Sequence, residues 1–389
     1  MTIDERLSSL GYRGPGFDEI RLLAATIVLI HHSRIVEYSD IRLDPLFLFS
    51  KGVIHFGFLA VAIFFSISGF LVTPGLLRSQ SVLDFAANRI VRIFPALIVV
   101  VFATMLLLGP LITKSSLFAY LSDPLFYRYP KNITTLLSNF LPGVTFRGGN
   151  QLAVVNTALW TLHFEVLCYI SLAFASIIGI LRRRQFFLVL FFASYVTNAI
   201  ISLFPPTGLF LPDRLMTFIE LFVYFAAGTT LFLYGNKIPF SRLFAALAFV
   251  SMLVALPFGY GVLVLPLCVP YLVIYAGLSA LPGRLLLRSD LSYGVYLIHA
   301  PILVALGIFL PNVRNGLFMA SLVFPVTLLL AYLSWEFIEA PSLQRKRDLS
   351  TAVRKLVGLA SHLLGQGLFV ASRKTSACAR AVSKPNNAE

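Results

Sequence analysis

The sequence predicts an all-α integral membrane protein of about ten transmembrane helices with both termini in the cytoplasm. Three observations carry this. The 389 residues are 58% hydrophobic, 14% aromatic and 12% charged, with a mean hydropathy of +0.85, whereas about a quarter of the residues of a soluble domain are charged. The apolar residues gather into ten runs, each near the roughly 20 residues a helix needs to cross the hydrocarbon core. The basic residues punctuate those runs and favour one face. The net charge of +14 therefore reads as membrane topology and excludes nucleic-acid binding, which would show a basic stripe interleaved with aromatics.

The first run, 18–36, follows a polar segment, 1–17. It has no small-residue cleavage site and precedes further spans, so it is expected to stay in the membrane and not to act as a signal peptide. The second run is 57–77 and contains Ser66-Ile67-Ser68-Gly69. The third, 91–113, follows Arg89. The fourth, 157–180, opens on Trp160, and the fifth and sixth cover 186–204 and 215–234. The seventh and eighth, 242–258 and 262–280, are parted only by Gly259-Tyr260-Gly261, where a re-entrant pair would keep the same topology. The ninth and tenth are 292–310 and 315–335. No internal repeat is visible, and no connecting segment is long enough for a separate soluble domain. The chain thus divides into an N-terminal segment (1–17), a membrane domain (18–341) and a basic tail (342–389). In the tail, apolar residues of 356–370 recur at near-helical spacing beside Arg354, Lys355, Arg373 and Lys374. This reads as an interfacial helix on the anionic inner leaflet, while the last fifteen residues read equally as a solvated tail. Cys168 and Cys268 lie in apolar runs and Cys378 in the tail, so free thiols are expected.

Orientation follows from lysine and arginine. With the N-terminus inside, one face receives Arg6, Arg13, Arg78, Arg89, Arg92, Arg182–Arg184, Lys237, Arg242, Arg284, Arg288 and the basic residues of the tail. The other receives only Arg42, Lys51, Lys114, Arg128, Lys131, Arg147, Arg214 and Arg314. Four of the latter share the long loop 114–156, which counts least. The expected location is the cell membrane, the inner membrane of a bacterium.

Ionisable side chains inside spans cost roughly 2.5–3.5 kcal/mol each on insertion scales, so each is a functional candidate. Arg21 and His32 are eleven positions apart in the first span, which places them within about 20° of one helix face and roughly 16 Å apart in depth. Arg21 reads alternatively as a snorkelling boundary residue and His32 as a packing histidine. Ser68-Gly69 alone reads as close helix packing. Arg89 and Arg92, three apart on one face, suit bidentate phosphate binding or are ordinary inside charge. Trp160 fits an interfacial aromatic, whereas Glu165, about one and a half turns deeper, requires a partner, with His32, Arg21 and His163 the candidates. His299, Glu336 and Glu339 read first as structural.

Taken in order, Arg21-x10-His32, Phe64-Phe65-x-x-Ser68-Gly69-Phe70, Arg89-x-x-Arg92-Ile93-x-Pro95, Trp160-Thr161-Leu162-x-x-Glu165, Ser292-Tyr293-x-x-Tyr296-Leu297-x-His299-x-Pro301 and Phe337-Ile338-Glu339-x-Pro341 resemble acyltransferase family 3 of integral membrane proteins, across residues 16–341. The resemblance implies transfer of an acyl group, usually acetyl, from cytoplasmic acyl-CoA to hydroxyls of an extracytoplasmic carbohydrate: lipopolysaccharide O-antigen, exopolysaccharide, peptidoglycan or a lipid-linked sugar. It carries functional weight onto Arg21, His32, Ser68, Gly69, Arg89, Arg92 and Glu165, and none onto His31. Two features depart from it. Ala62 stands where many members have an aspartate, and only a short tail follows the last span, as in the stand-alone form without an appended hydrolase-like domain.

On that reading His32 is the expected general base or, alternatively, the covalent carrier of the acyl group. Glu165 is expected to orient it, Arg89 and Arg92 to hold the phosphates of acetyl-CoA, and Arg21 to line the path inward. The roughly 16 Å between Arg21 and His32 is comparable to a pantetheine arm. Trp160 joins the substrate-binding set, and no metal is expected. A competing class is a transporter or flippase of a lipid-linked sugar using the buried Arg, His and Glu, although no inverted repeat or paired broken helices support it. A membrane scaffold explains the buried charges worst. In loop 114–156, Tyr127–Lys131 and 146–150 offer aromatics and amides for sugar or are ordinary surface.

Overall fold

The computed structural model describes residues 1–12, 14–38, 41–79, 81–145, 151–204, 212–279, 289–345 and 351. The expected tail helix at 356–370, Cys378, the segment 146–150 and Arg13, Arg284 and Arg288 lie outside the described residues. Among those described, ten helices of at least 14 residues follow one another: α1 (Phe17–Tyr38), α2 (Phe56–Arg78), α3 (Val82–Ala103), α4 (Trp160–Ile177), α5 (Arg184–Leu203), α6 (Asp213–Leu233), α7 (Arg242–Ala255), α8 (Gly261–Leu278), α9 (Ser292–Phe309) and α10 (Gly316–Ser334). They coincide with the ten apolar runs. Eight are long and apolar enough to span a membrane by themselves. The other two are α1, 22 residues long but carrying Asp18, Glu19, Arg21 and Arg34, and α7, which needs the 3-10 turn Leu256–Phe258 to reach residue 258.

Two helices are longer than hydropathy suggested. α3 starts at Val82, nine residues before the apolar run, because the Ser81 side chain accepts the Asp84 N–H at 3.1 Å and caps a turn that hydropathy alone discounts. Arg89 and Arg92 are therefore helical. α3 continues through a π turn, Thr104–Leu108, to Ile112, and α10 through another, Trp335–Glu339, to Gln344. Each π turn is followed by X-Pro, Gly109-Pro110 and Ala340-Pro341. Proline brings no N–H to the carbonyl one turn back, and a π turn accommodates the released acceptor. In α10 this rotation leaves Phe337 75% exposed and buries Glu339 at 3%.

α2 is the central post, packed on α1, α6 and α8, while α1 also meets α9 and α10. The α2–α6 crossing is made by glycines. A Cβ at Gly69 would lie 2.0 Å from the Phe225 carbonyl oxygen, and one at Gly228 would lie 2.1 Å from that of Ser66. Thr73 and Thr229 both donate to the Gly69 carbonyl beside this contact, the small-residue packing expected where helices associate in lipid. α7 sits at the periphery with Leu243 and Val254 exposed.

The ends of the helices meet as alternating crossings require. The N-terminal helix Ile3–Ser9 docks on the α6–α7 turn through Ile3 N–H to Ile238 O and Asp4 N–H to Gly235 O. At that same end the starts of α1 and α9, the first turns of α3 and the end of α10 gather.

Candidate active site

Two cavities lie at the two ends of α1. The first is lined by Arg21 from α1, Phe65 and Ser68 from α2, Arg89 and Arg92 from α3, Thr161, Glu165 and Tyr169 from α4, and Ser292, Tyr293 and Tyr296 from α9. Five residues singled out in the sequence thus share one wall. Its charges are unevenly matched. Arg92 hydrogen-bonds Asp290 and lies 3.8 Å from Glu339, while Arg21 lies 3.5 Å from Asp290 and 3.4 Å from Asp18. Burial alone would raise the carboxyl pKa of Asp290, but Arg92 and Arg21 outweigh it and hold it below its usual value. Asp290 also accepts from the Ser292 N–H at 3.3 Å and from its hydroxyl, which fixes the start of α9.

Arg89 is different. Its guanidinium sits 5.7 Å from the Tyr169 ring centre. Among the described residues its buried Nε has no hydrogen-bond partner and no carboxylate pairs with it. Glu165 accepts from the Tyr169 hydroxyl one turn along α4.

The second cavity, about 540 Å³, is lined by His32, Asn139, Asn156, Thr157, Trp160 and Leu303 among others. His32 does not meet Glu165. α1 and α4 run in opposite directions, and His32 is level with Thr157, whose hydroxyl is 3.2 Å from His32 Nδ1. Glu165 is eight residues farther along, roughly 12 Å for helical rise, and falls beside Arg21's end instead. The partner of His32 is His299: Nδ1 of His32 lies 2.9 Å from Nε2 of His299, with the rings stacked. His299 Nδ1 donates to the Val295 carbonyl at 3.0 Å, so its Nε2 carries the lone pair. His32 Nδ1 must then be the donor, and its Nε2 is left unprotonated. The Val295 carbonyl thus assigns the tautomer of His299, and His299 that of His32.

Between the cavities the Thr161 and Tyr296 hydroxyls hydrogen-bond. Both residues line the first cavity, and Tyr296 meets His299 edge-on at 6.1 Å. Of the remaining candidates, Trp160 lines the His32 cavity and not the arginine-lined one. Gly69 lines neither, being occupied by the α2–α6 crossing. His31 turns away from His32: its Nδ1 lies 2.9 Å from Asp44, and its ring stacks on His55 at 4.6 Å.

Asp290, His299, Thr157 and the Thr161–Tyr296 pair escaped the sequence reading as site residues. His299 carried the same signal as His32, a histidine in a span, and Asp290 was a carboxylate two positions before one.

The family model described as an acyltransferase domain matches residues 15–336. The chain belongs to acyltransferase family 3. This acyltransferase is 29% identical over 336 residues to an O-acetyl transferase of Shigella phage Sf6, covering 85% of this chain and 96% of the phage protein. It is 30% identical over 374 residues to Nodulation protein 10 of Rhizobium leguminosarum bv. viciae, covering 88% and 96%. No solved structure matches it significantly. It is an O-acyltransferase built as a multi-pass membrane protein. That membership sets aside the transporter reading of its buried charges.

Proposed function

We propose that this acyltransferase moves an acetyl group from acetyl-CoA on the cytoplasmic side to a hydroxyl of a carbohydrate on the opposite side of the membrane. The observation that carries the reading is the His32–His299 pair, which leaves a lone pair on His32 Nε2 at a cavity reached from the opposite end of α1 to the arginines. Lysine and arginine distribution supports placing the arginine-lined end in the cytoplasm, where acyl-CoA is made.

In this reading Arg89, which has no counter-ion among the described residues, takes a phosphate of the donor, and the acyl arm extends along α1 toward His32. The acceptor hydroxyl gives its proton to His32 Nε2 as its oxygen attacks the thioester carbonyl. The C–S bond breaks, and the departing thiolate recovers the proton. His299 is a positioning residue. It holds the tautomer that makes Nε2 basic and accepts the Nδ1–H of the imidazolium, the place that Glu165 was expected to fill. The alternative in which His32 carries the acetyl group uses the same lone pair as nucleophile.

The test is transfer of labelled acetyl from acetyl-CoA to deacetylated surface polysaccharide by protein in proteoliposomes. His32→Ala is expected to bind acetyl-CoA and transfer none. His299→Leu is expected to lower kcat by about 100-fold with KM for acetyl-CoA unchanged, and His299→Gln, whose amide oxygen accepts from Nδ1, to recover part of it. Retained transfer by His32→Ala would sink the assignment.

A further inference from the structure

A third cavity, about 350 Å³, adjoins the His32 cavity, and Trp160 and Leu137 line both. One indole is therefore a common wall. The remaining lining joins two more aromatics, Phe58 and Phe164, to a polar set: Thr135, His163, Thr217 and Glu220, with Asp213 and Arg214 at the exposed rim. Glu220 lies seven residues into α6, roughly 10 Å from its start. Among the described residues it has neither a hydrogen bond nor an ion pair, an expensive state for a carboxylate within a membrane span and one expected at a functional position.

We infer that this cavity is a carbohydrate subsite that holds the sugar next to the one being acetylated, with Trp160 stacking on one sugar and Glu220 accepting hydroxyls of the next. The inference rests on the acetyl-transfer reading above. Its chemistry comes from the lining. Aromatic faces suit the C–H faces of a sugar ring, and an unpaired carboxylate with threonine hydroxyls suits a polyhydroxylated one. Two carboxylates against one arginine make the pocket a poor host for a phosphate or for CoA.

Its wall is also held in advance of any ligand. Thr135, at φ +60°, takes the left-handed conformation. The turn is tied by Asn132, whose amide donates to the Tyr129 and Ser138 carbonyls at 2.9 Å and whose oxygen accepts the Ser138 N–H. This presents the Thr135 hydroxyl 3.5 Å from His163 Nδ1. Such pre-ordering lowers the cost of binding.

The experiment uses deacetylated surface polysaccharide of the producing cell, cleaved to fragments of one to three sugars, and the full-length protein in proteoliposomes. Wild type is expected to show a KM that falls from one-sugar to three-sugar fragments. Glu220→Gln is expected to abolish that fall, raising KM for the three-sugar fragment about tenfold, with acetyl-CoA affinity reporting an intact fold. A Glu220→Gln protein that keeps the wild-type length dependence overturns the subsite.

A second measurement covers a variant that does not fold. Trp335→Phe leaves Trp160 as the one indole of a chain with two tryptophans, and its emission is expected to change further with three-sugar than with one-sugar fragments. An unresponsive Trp160 also overturns the subsite. Transfer by His32→Ala with the length dependence intact would instead defeat the catalytic reading and leave the subsite standing.

Discussion

At the scale of single residues, Arg89 and Arg92 show how little a motif says about the fate of its members. They are three apart on one helix and chemically identical, yet Arg92 is engaged by Asp290 and Glu339 while Arg89 sits over the Tyr169 ring and pairs with no carboxylate among the described residues. Substituting Arg89 and substituting the carboxylate that engages Arg92 should therefore have different effects. Arg89→Gln is expected to raise Kd for acetyl-CoA about tenfold with little change in thermal stability. Asp290→Asn, which leaves Arg92 and Arg21 short of their shared carboxylate, is expected to cost about 3 kcal/mol, read as a lower unfolding temperature. Isothermal titration and thermal unfolding on the same preparations separate the two effects, and equal losses of affinity would contradict the division. Of the candidate site, His32, Arg21 and Glu165 stood out in the sequence because each is a costly group in an apolar run. Their partners were not. His32 and His299 are 267 positions apart, and nothing local to either residue records the other.

At the scale of elements, the start of α2 is sensitive to acid. His55 caps it by accepting the Phe58 N–H on Nδ1 at 3.1 Å, and its ring stacks on His31, itself bonded to Asp44. Burial, with His31 nearby, lowers the His55 pKa from 6.5 to about 4, against the opposing pull of Asp44. A depressed histidine contributes stability that is complete above its unfolded value, near 6.5, and that is lost as pH falls toward 4. Protonated Nδ1 also has no lone pair for the cap. The protection of residues 56–60 against hydrogen exchange, taken relative to the intrinsic rate at each pH, is therefore expected to fall between pH 6.5 and 4, and His55→Asn, which caps without titrating in this range, to remove that dependence. Unchanged protection in the wild type would refute it. Helix positions were readable from hydropathy, while the early start of α3 was hidden because Ser81, Asp84, Arg89 and Arg92 dilute the signal that hydropathy measures. The π turns were hidden for another reason: the prolines were visible, but the rotation that carries Glu339 inward appears only when α10 packs on α3.

At the scale of the whole molecule, the alternating directions of the ten helices put the N-terminal helix and the α6–α7 turn at one end and residues 114–145 at the other. With that first end in the cytoplasm, a cysteine placed at Ser116 in a cysteine-free background should react with a membrane-impermeant maleimide in intact cells. One at Asn236 should react only after permeabilisation, and the reverse pattern would invert the orientation. Membrane character was legible because composition and length are one-dimensional. The division of the interior into separate cavities was not, since each wall draws on helices distant in the chain.

The Thr161–Tyr296 hydrogen bond has a consequence for the cell as well as for catalysis. A protein with polar chambers opening from both ends of the bilayer risks joining them into a thread of water, along which protons would run down the membrane potential. Two hydroxyls bonded to each other, backed by the Phe64 ring 5.6 Å from Tyr296, satisfy one another and leave less for a file of water to bridge between the chambers. In the proposed transfer the thioester arm takes the place of water at this point, so the hydroxyl pair would part for substrate and not for solvent.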